Sequence, residues 1–307
     1  MLHPQCATFL EAGAGAPELV DLPIEVGRNG SYAGIGLSGT VDPDILIHTQ
    51  FIPGVTADLA IRIYKPATAG LHPGMLYIHG GGWAYFSIDF YDAQLSALSK
   101  LTNSVIVSIN YQKSPEHKFP IPHDDCYSGL KWIFENSESL SIDKDRIGIG
   151  GDSAGGNLAA GLALRARDLK EYSLAYQLLI YPALGVDFNT DSYNTNGTGY
   201  GLTKRTMSWL WSLYLAGKDD YTNPYAVPLA SNNLAGLPPT IMVTAEYDVL
   251  RDDGRIYAQK LLENKVSVIH KDFSGMIHGF FNYGTQIDEG YKLRDWISDS
   301  IRKVLTS

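Results

Sequence analysis

Cysteine, positive charge and long apolar runs are all scarce in this 307-residue chain. The two cysteines, Cys6 and Cys126, are too few for a disulfide scaffold and lack the spacing of metal ligands, which favours reduced thiols in the cytoplasm. A formal charge of −9 argues against nucleic acid and anionic membrane surfaces as partners. The most apolar helical stretch, residues 159–166, is far shorter than the roughly 20 residues of a membrane span, and the first residues lack a secretory signal pattern.

Short apolar runs alternate with helical stretches along most of the chain. Runs of this kind suit strands that are buried on both faces of a parallel sheet, and their alternation with helices predicts a doubly wound α/β fold. The predicted strands are 45–53, 58–66, 74–80, 104–111, 146–151, 176–184, 239–248 and 266–273. The predicted helices between them are 89–102, 123–138, 155–170, 252–264 and 285–305.

Two segments do not follow this alternation. Residues 1–45 are rich in Gly, Ala and Pro and poorly periodic, which indicates an N-terminal arm. Residues from about 185 to 235 contain no strand pattern but include a helix candidate at 204–216. A long insertion in a compact α/β domain is usually a lid or a binding element, although it can also be a surface excursion that only covers the core. We therefore predict an arm, 1–45, and a main domain, 46–307, with an insertion at 185–235.

The sequence Gly-Asp-Ser-Ala-Gly at 151–155 matches the pattern G-x-S-x-G. It follows a predicted strand and opens a predicted helix, as a nucleophile elbow requires. In such an elbow the serine takes a strained conformation and the glycines let strand and helix approach each other. The alternative is a glycine-rich turn in which Ser153 only caps the helix. The context favours Ser153 as a nucleophile.

A serine nucleophile needs a base, and the base needs an orienting acid. In one known arrangement the order along the chain is Ser, acid, His. Two histidines follow Ser153. His270 falls within a strand pattern, which favours a structural role, whereas His278 lies in a glycine-flanked loop just after the last predicted strand. We predict His278 as the base.

Asp248 is the predicted acid because it ends the strand 239–248, and the carboxyl ends of parallel strands face the crevice where sites form. Three other carboxylates compete with it. Asp252 would begin the next helix, which is a structural position for an acid. Glu246 lies two residues back on the same strand and could support the site from behind. Asp253 is the third competitor.

The sequence His-Gly-Gly-Gly-Trp at 79–83 follows a predicted strand. Successive glycines expose backbone N–H groups and allow close approach to a substrate oxygen. An elbow of this type also uses the amide after the nucleophile, here Ala154. A phosphate-binding loop is the competing interpretation, but neither the P-loop pattern nor a dinucleotide-binding pattern is present.

Five segments in this order resemble the hormone-sensitive-lipase-like esterases, bacterial carboxylesterases of the α/β-hydrolase fold: 79–83, 114–120, 151–159, 245–254 and 277–280. The resemblance implies a mostly parallel eight-stranded sheet with helices on both faces and a helical cap built from the arm and the insertion. It also implies site roles, which are a nucleophile, an acid, a base and three oxyanion-binding amides: Ser153, Asp248 and His278, with Gly81, Gly82 and Ala154.

The chain departs from the family pattern in two places. It has Tyr-Gln-Lys-Ser-Pro-Glu at 111–116 where the family commonly has Tyr-Arg-Leu-Ala-Pro-Glu, and Asp-Val-Leu-Arg-Asp at 248–252 where the family commonly has Asp-Pro-Leu-Arg-Asp. Neither change removes a catalytic group, but both alter the surroundings of the site.

The resemblance implies a serine carboxylesterase that hydrolyses short-chain acyl esters of small molecules through an acyl-enzyme, without metal or cofactor. Homodimers are common in the family. Two alternatives stay open. One is an amide or lactone hydrolase or a deacetylase on the same triad, since a triad does not choose between these bonds. The other is a binding protein of this fold that has lost catalysis, which would lack a working base, so the presence of His278 argues against it.

Aromatic residues are the candidates for the walls of an acyl pocket. Three of them follow the glycine loop and two lie in the insertion: Trp83, Tyr85 and Phe86, then Trp209 and Trp211. The alternative for each is ordinary packing in the core or the cap.

Overall fold

The computed structural model describes residues 1–306, and a single sheet organises them. All eight predicted strands are confirmed, with ends shifted by a few residues. The strands are β1 (Ile45–Pro53), β2 (Asp58–Pro66), β3 (His72–Ile78), β4 (Val105–Ile109), β5 (Ile142–Asp152), β6 (Gln177–Ile180), β7 (Thr240–Tyr247) and β8 (Val268–Ile277).

The order of the strands brings one set of strand ends together. It is β1-β2-β4-β3-β5-β6-β7-β8, and β1 and β2 form an antiparallel edge with β2 antiparallel to β4. The remaining six strands, from β4 to β8 in this order, are parallel. Their carboxyl ends therefore share one edge, where the loops of an open α/β sheet form binding crevices.

Helices connect most of these strands. They are α1 (Pro4–Ala12), α2 (Ile24–Ser31), α3 (Asp92–Thr102), α4 (Ile121–Glu135), α5 (Ser137–Leu140), α6 (Ala154–Leu169), α7 (Asp191–Thr195), α8 (Lys204–Tyr214), α9 (Arg251–Glu263) and α10 (Glu289–Thr306). Within residues 1–306, none of them is long and apolar enough to cross a membrane.

Two predicted helix boundaries are wrong. The stretch 123–138 is not one helix, because α4 ends at Glu135, where the side chain of Asn136 donates to the carbonyl of Trp132 (2.9 Å), and α5 follows as a separate turn. The last helix begins at 289 rather than 285. Its expected first turn is instead a tight bend, in which the amides of Gln286 and Ile287 both donate to the carbonyl of Tyr283.

The period-2 alternation of the strands creates two apolar layers. In β3, Leu76 and Ile78 pack with residues of α4, α6 and α9, whereas Met75 and Tyr77 pack with residues of α3 and α10. All of β3 is buried, as expected for a central strand covered on both faces. Burial of these apolar surfaces is the main stabilising contribution to the fold and fixes the strand ends.

The arm and the insertion contact each other through polar side chains. The guanidinium of Arg205, on α8, donates two hydrogen bonds to the carboxylate of Asp21 (2.8 and 2.6 Å). The carboxylate of Glu18 accepts from the hydroxyls of Thr203 (2.5 Å) and Thr206 (2.8 Å). The two segments, 184 residues apart at the Arg205–Asp21 pair, are thereby joined.

Candidate active site

Ser153 occupies a sharp turn between β5 and α6. Its backbone has φ 56° and ψ −121°, a sparsely populated conformation for a residue with a side chain. A Cβ atom added to Gly155 would lie 2.0 Å from the carbonyl oxygen of Ile78, and one added to Gly151 would lie 2.4 Å from the backbone of Gly155. The glycines on either side are thus required for the helix to approach the sheet, and the predicted elbow geometry is present.

Three side chains from distant parts of the chain form one hydrogen-bonded row. His278 Nε2 lies 2.9 Å from Ser153 Oγ, and His278 Nδ1 lies 2.7 Å from Asp248 Oδ2. The carboxylate of Asp248 is buried, and its other oxygen accepts from the amide of Leu250 (2.9 Å). Because a carboxylate only accepts hydrogen bonds, Nδ1 is the donor and Nε2 of the neutral ring faces the serine as an acceptor. Such an imidazole can remove the serine proton.

The glycine loop places two amides at the same site. Gly81 (φ 105°) and Gly82 (φ 58°) have left-handed backbones, and the carbonyl of Gly81 accepts from the amides of Ala84 and Tyr85. Within residues 1–306, the amides of Gly81 and Gly82 donate to no protein acceptor. The amide of Ala154, first in α6, has no acceptor within its helix by position. These N–H groups can therefore bind an oxygen from outside the protein.

Sequence reasoning missed the role of Asp152, whose only signal was its position inside the G-x-S-x-G motif. Its buried carboxylate accepts from the hydroxyls of Tyr77 and Tyr91 and from the amide of Gly80, all at 3.0 Å. The side chain of Asn282 is a longer donor at 3.4 Å. Burial raises the pKa of Asp152, and these donors oppose the rise by stabilising the carboxylate. One acid therefore ties the glycine loop to β3 and to the turn after β8.

Two of the competing acids have structural partners. Glu246 accepts from the amide of Gly275 (2.6 Å). Asp252 lies in the first turn of α9, as expected, where it accepts from the amide of Ser192 (2.7 Å) and from the side chain of Arg251 (2.9 Å). In the described chain neither carboxylate bonds to a histidine.

Asp253 and His270 also lie outside the row. The buried carboxylate of Asp253 accepts from the amides of Leu184 and Gly185, both at 2.9 Å, and burial raises its pKa to about 7. His270 lies on β8, as expected, with its Nε2 2.8 Å from the hydroxyl of Thr244. Asp253 thus links α9 to the chain that follows β6, and His270 links β8 to β7.

A cavity of about 710 Å³ opens beside Ser153 and His278. Tyr85 and Phe86, two of the predicted wall residues, line it together with Gly81 and Gly82. Most of its apolar wall comes from the arm and the insertion, through Phe9, Leu19, Leu22, Val26, Leu202, Met207 and Leu210. The sequence pattern did not single out these residues, and for those of the arm the reason is that it has no clear periodicity from which a buried face can be read.

None of the three tryptophans predicted as wall residues lines this cavity. Trp83 and Trp211 are fully buried, with ring centroids 4.4 Å apart, and Trp83 stacks on Tyr214 at 4.5 Å. They therefore belong to the core beneath the glycine loop. Trp209 is half-buried against Tyr85, with centroids 6.5 Å apart, and lies outside the cavity lining.

Comparison with known proteins places this chain in a family. The α/β-hydrolase fold family matches residues 75–282. A carboxylesterase of Mycobacterium tuberculosis is 36% identical over 247 residues, covering 78% of this chain and 77% of that protein. An arylesterase of Saccharolobus solfataricus is 37% identical over 224 residues, covering 73% of each chain. The solved structure of a hyperthermophilic esterase from the archaeon Pyrobaculum calidifontis matches with a TM-score of 0.93 at 33% identity, covering 100% of this chain and 99% of that one. This chain is a member of the α/β-hydrolase fold family, in the hormone-sensitive-lipase-like branch that its motifs indicated.

Proposed function

We propose that this protein is a serine carboxylesterase, with Ser153 as nucleophile, His278 as base and Asp248 as orienting acid. The observation that supports this most is the row of hydrogen bonds, 2.9 Å from Ser153 to His278 and 2.7 Å from His278 to Asp248. The row lies at the wall of a cavity large enough for a small ester. The esterase names of the related proteins agree with this proposal.

In the first step His278 Nε2 takes the proton of Ser153 while Oγ bonds to the ester carbonyl carbon. Asp248 holds the tautomer and stabilises the imidazolium that forms. When the tetrahedral intermediate collapses, the bond to the alcohol oxygen breaks and His278 returns the proton to that oxygen. Water, activated by the same base, then releases the acid from the acyl-enzyme and restores the serine proton.

The amides of Gly81, Gly82 and Ala154 are the proposed donors to the oxyanion of the tetrahedral intermediate. The first two have no competing protein acceptor in residues 1–306, and the third begins a helix whose N-terminus favours negative charge. Loss of one such donor costs about 100- to 1,000-fold in kcat.

We propose that the arm and the insertion act together as a cap that limits the substrate to short-chain acyl esters. Both segments contribute apolar walls to the cavity, and they are tied to each other beside it by Glu18 and Arg205. A covered cavity of about 710 Å³ is within the range of about 300–1,000 Å³ typical of small-molecule sites. Such a cavity suits single small esters better than an aggregated lipid.

The decisive experiment is a panel of 4-nitrophenyl esters from acetate to palmitate, measured on the wild type and on Ser153→Ala. We expect a maximum at short chains for the wild type and no activity above background for the variant. A fluorophosphonate should label the wild type once, on Ser153. Wild-type rates in Ser153→Ala, or an adduct on another residue, would overturn the assignment, and a maximum at long chains would overturn the short-chain proposal. A matched ester and amide pair tests the bond preference.

We also propose the cytoplasm as the compartment and a homodimer as the assembly. Free, buried thiols at Cys6 and Cys126 support the cytoplasm. The frequency of homodimers in the family supports the dimer. Sedimentation velocity that detects only monomer at micromolar concentration would overturn the dimer.

A further inference from the structure

A second cavity, of about 500 Å³, adjoins the one beside Ser153. The side chains of Phe86 and Ser31 line both spaces, so the two cavities share a wall. Its lining includes part of the segment 111–116, where the sequence departs from the family pattern. The reaction proposed above uses none of the polar side chains that are found only in this second cavity.

Lys113 is the cation of this second cavity that has no anionic partner. Its Nζ donates to Asn110 Oδ1 (2.7 Å) and to the carbonyl of Tyr111 (3.2 Å), and both acceptors are neutral. No carboxylate of residues 1–306 lies within ion-pair distance of it. Two of its three N–H groups are used, which leaves one donor and a full positive charge. Burial lowers the pKa of Lys113 to about 8, which reflects the cost of keeping this charge without a counterion.

The other charged groups of the cavity differ from Lys113. Arg28 is neutralised by Glu116, whose two carboxylate oxygens accept from it at 2.7 and 2.8 Å. Two further N–H groups of Arg28 donate to the carbonyls of Ala84 (2.8 Å) and Ser114 (2.9 Å). Besides tyrosines, two titratable groups remain, His117 and Asp58, and the carboxylate of Asp58 is exposed to solvent, where water screens its charge. Among the described residues that line this cavity, the partly buried charge without a counterion is thus positive, in a chain whose net charge is −9.

We propose that the second cavity is a carboxylate-binding subsite in which Lys113 supplies the charge. A carboxylate matches the cation that has no ion pair and accepts its free N–H as a charge-assisted hydrogen bond. The link between this subsite and catalysis rests on the proposed function. Ester hydrolysis in the adjoining cavity beside Ser153 would involve carboxylates from two sources. One is the acid released by the reaction, and the other is the distal carboxylate of a substrate that is the monoester of a dicarboxylic acid.

The first test compares two esters of equal acyl length, the 4-nitrophenyl monoester of adipic acid and 4-nitrophenyl hexanoate. Only the first has a distal carboxylate. We expect Lys113→Met to lower the ratio of kcat/KM for the adipate monoester to that for the hexanoate by about tenfold or more, the range of a hydrogen bond to a charged group. Lys113→Arg should keep the ratio. The matched control Lys131→Met, which removes an exposed lysine elsewhere, should leave the ratio at the wild-type value.

The second test measures binding without catalysis. Isothermal titration of Ser153→Ala with adipate and with hexanoate, with and without Lys113→Met, separates a dicarboxylate site from a product site. Weakened adipate binding alone indicates the distal carboxylate of a substrate, and equal weakening of both indicates the released acid. Lys113→Leu, which carries the residue common in the family, repeats both tests if the methionine variant does not fold. An unchanged ester ratio together with unchanged binding would overturn the subsite, whereas wild-type hydrolysis by Ser153→Ala would overturn only the proposed function.

Discussion

The hydrogen-bonded row and the segments that cover it are held in different ways. Ser153, Asp248 and His278 each lie one residue beyond a strand of the parallel sheet, after β5, β7 and β8. The covering segments contain no strand in the described chain and are joined to each other by side chains such as Asp21 and Arg205, which are 41% and 58% exposed.

We infer that the strand ends serve the chemical steps and that the covering segments serve the choice of substrate. A serine, an imidazole and a carboxylate must stay within hydrogen-bond distance through the reaction, and buried strand ends provide that rigidity. A wall that admits a substrate and releases products has to move. Regions held by exposed polar contacts open at a low cost in free energy. We therefore expect large losses of kcat from changes at the strand ends and small changes in KM from changes in the cover.

The largest effect is expected for Asp248→Asn. The amide keeps the shape of the carboxylate but can donate to His278 Nδ1, which would put the imidazole proton on Nε2 and block its role as base. A loss of about 10⁴-fold in kcat is typical of this change in a serine triad. Asp252→Asn is the matched control, because Asp252 contacts Arg251 and Ser192 rather than the histidine. Steady-state kinetics in which Asp252→Asn costs more than Asp248→Asn would move the acid to Asp252.

The next largest effect is expected for Gly81→Ala. A Cβ atom there would lie 2.4 Å from the carbonyl oxygen of Tyr85, at a φ of 105° that a side chain disfavours, so the loop must shift. Loss of one oxyanion donor predicts about 100- to 1,000-fold lower kcat with a smaller change in KM. Gly70→Ala is a close control, since Gly70 has a φ of 110° but nothing within 4 Å of the added atom. Equal kinetics of the two variants would contradict the role of the loop.

A third prediction concerns stability and pH. Burial raises the pKa of Asp253 from 3.8 to about 7, so the folded protein binds its proton more tightly than the unfolded chain. This contribution is fully present below about pH 4 and is lost as the pH rises through 7. Asp253→Asn lacks it, and the free energy of unfolding of the variant relative to wild type should rise by a few kcal/mol between pH 4 and 8, at about 1.4 kcal/mol per pKa unit.

Urea unfolding of both proteins across this pH range checks the sign. Asp252→Asn provides the opposite case, because the ion pair with Arg251 and the amide of Ser192 lower the pKa of Asp252 despite partial burial. The stability contributed by Asp252 is present at neutral pH and is lost on acidification, so this variant should lose stability relative to wild type as the pH rises. A flat difference for Asp253→Asn would show that its carboxylate stays ionised in the folded protein.

The sequence predicted the row of three side chains because each follows a strand whose apolar run is visible locally. Once the strands are placed side by side, the positions of Ser153, Asp248 and His278 follow from the common edge of a parallel sheet. Asp152 has no such local signal. Its four donors come from three separate stretches of the chain, and their convergence on one carboxylate exists only in the folded protein.

The walls of the cavity were predicted less well for a related reason. An aromatic residue in a core and one in a pocket look alike in a sequence, so Trp83 and Trp211 could not be told from true wall residues until their burial was known. Phe9 and Leu22 show the opposite error, because they line the cavity but were not predicted to do so. They lie in an arm whose sequence has no periodic pattern. Phe9 stacks on Tyr283, with ring centroids 4.4 Å apart, and Asp21, the neighbour of Leu22, bonds to Arg205 on α8. Contacts between such distant parts of the chain leave no periodic pattern.

The smallest effect is expected at an exposed contact of the cover, the Arg205–Asp21 pair. Arg205→Gln removes two exposed charged hydrogen bonds, and exposed pairs are worth up to about 1 kcal/mol, or about fivefold in an equilibrium. Because the pair only biases the cover toward its wall-forming position, KM for short esters should rise by no more than about fivefold while kcat stays the same. Asp21→Asn should act alike, and the double variant should add little to either, since both single variants remove the same two hydrogen bonds and only a long contact of Arg205 with Glu18 (4.0 Å) differs. Lys131→Gln, which breaks an exposed pair with Glu135 on α4, should leave KM unchanged. A tenfold fall in kcat for Arg205→Gln would show that the cover also positions the reacting groups, and the contrast between strand ends and cover would then fail.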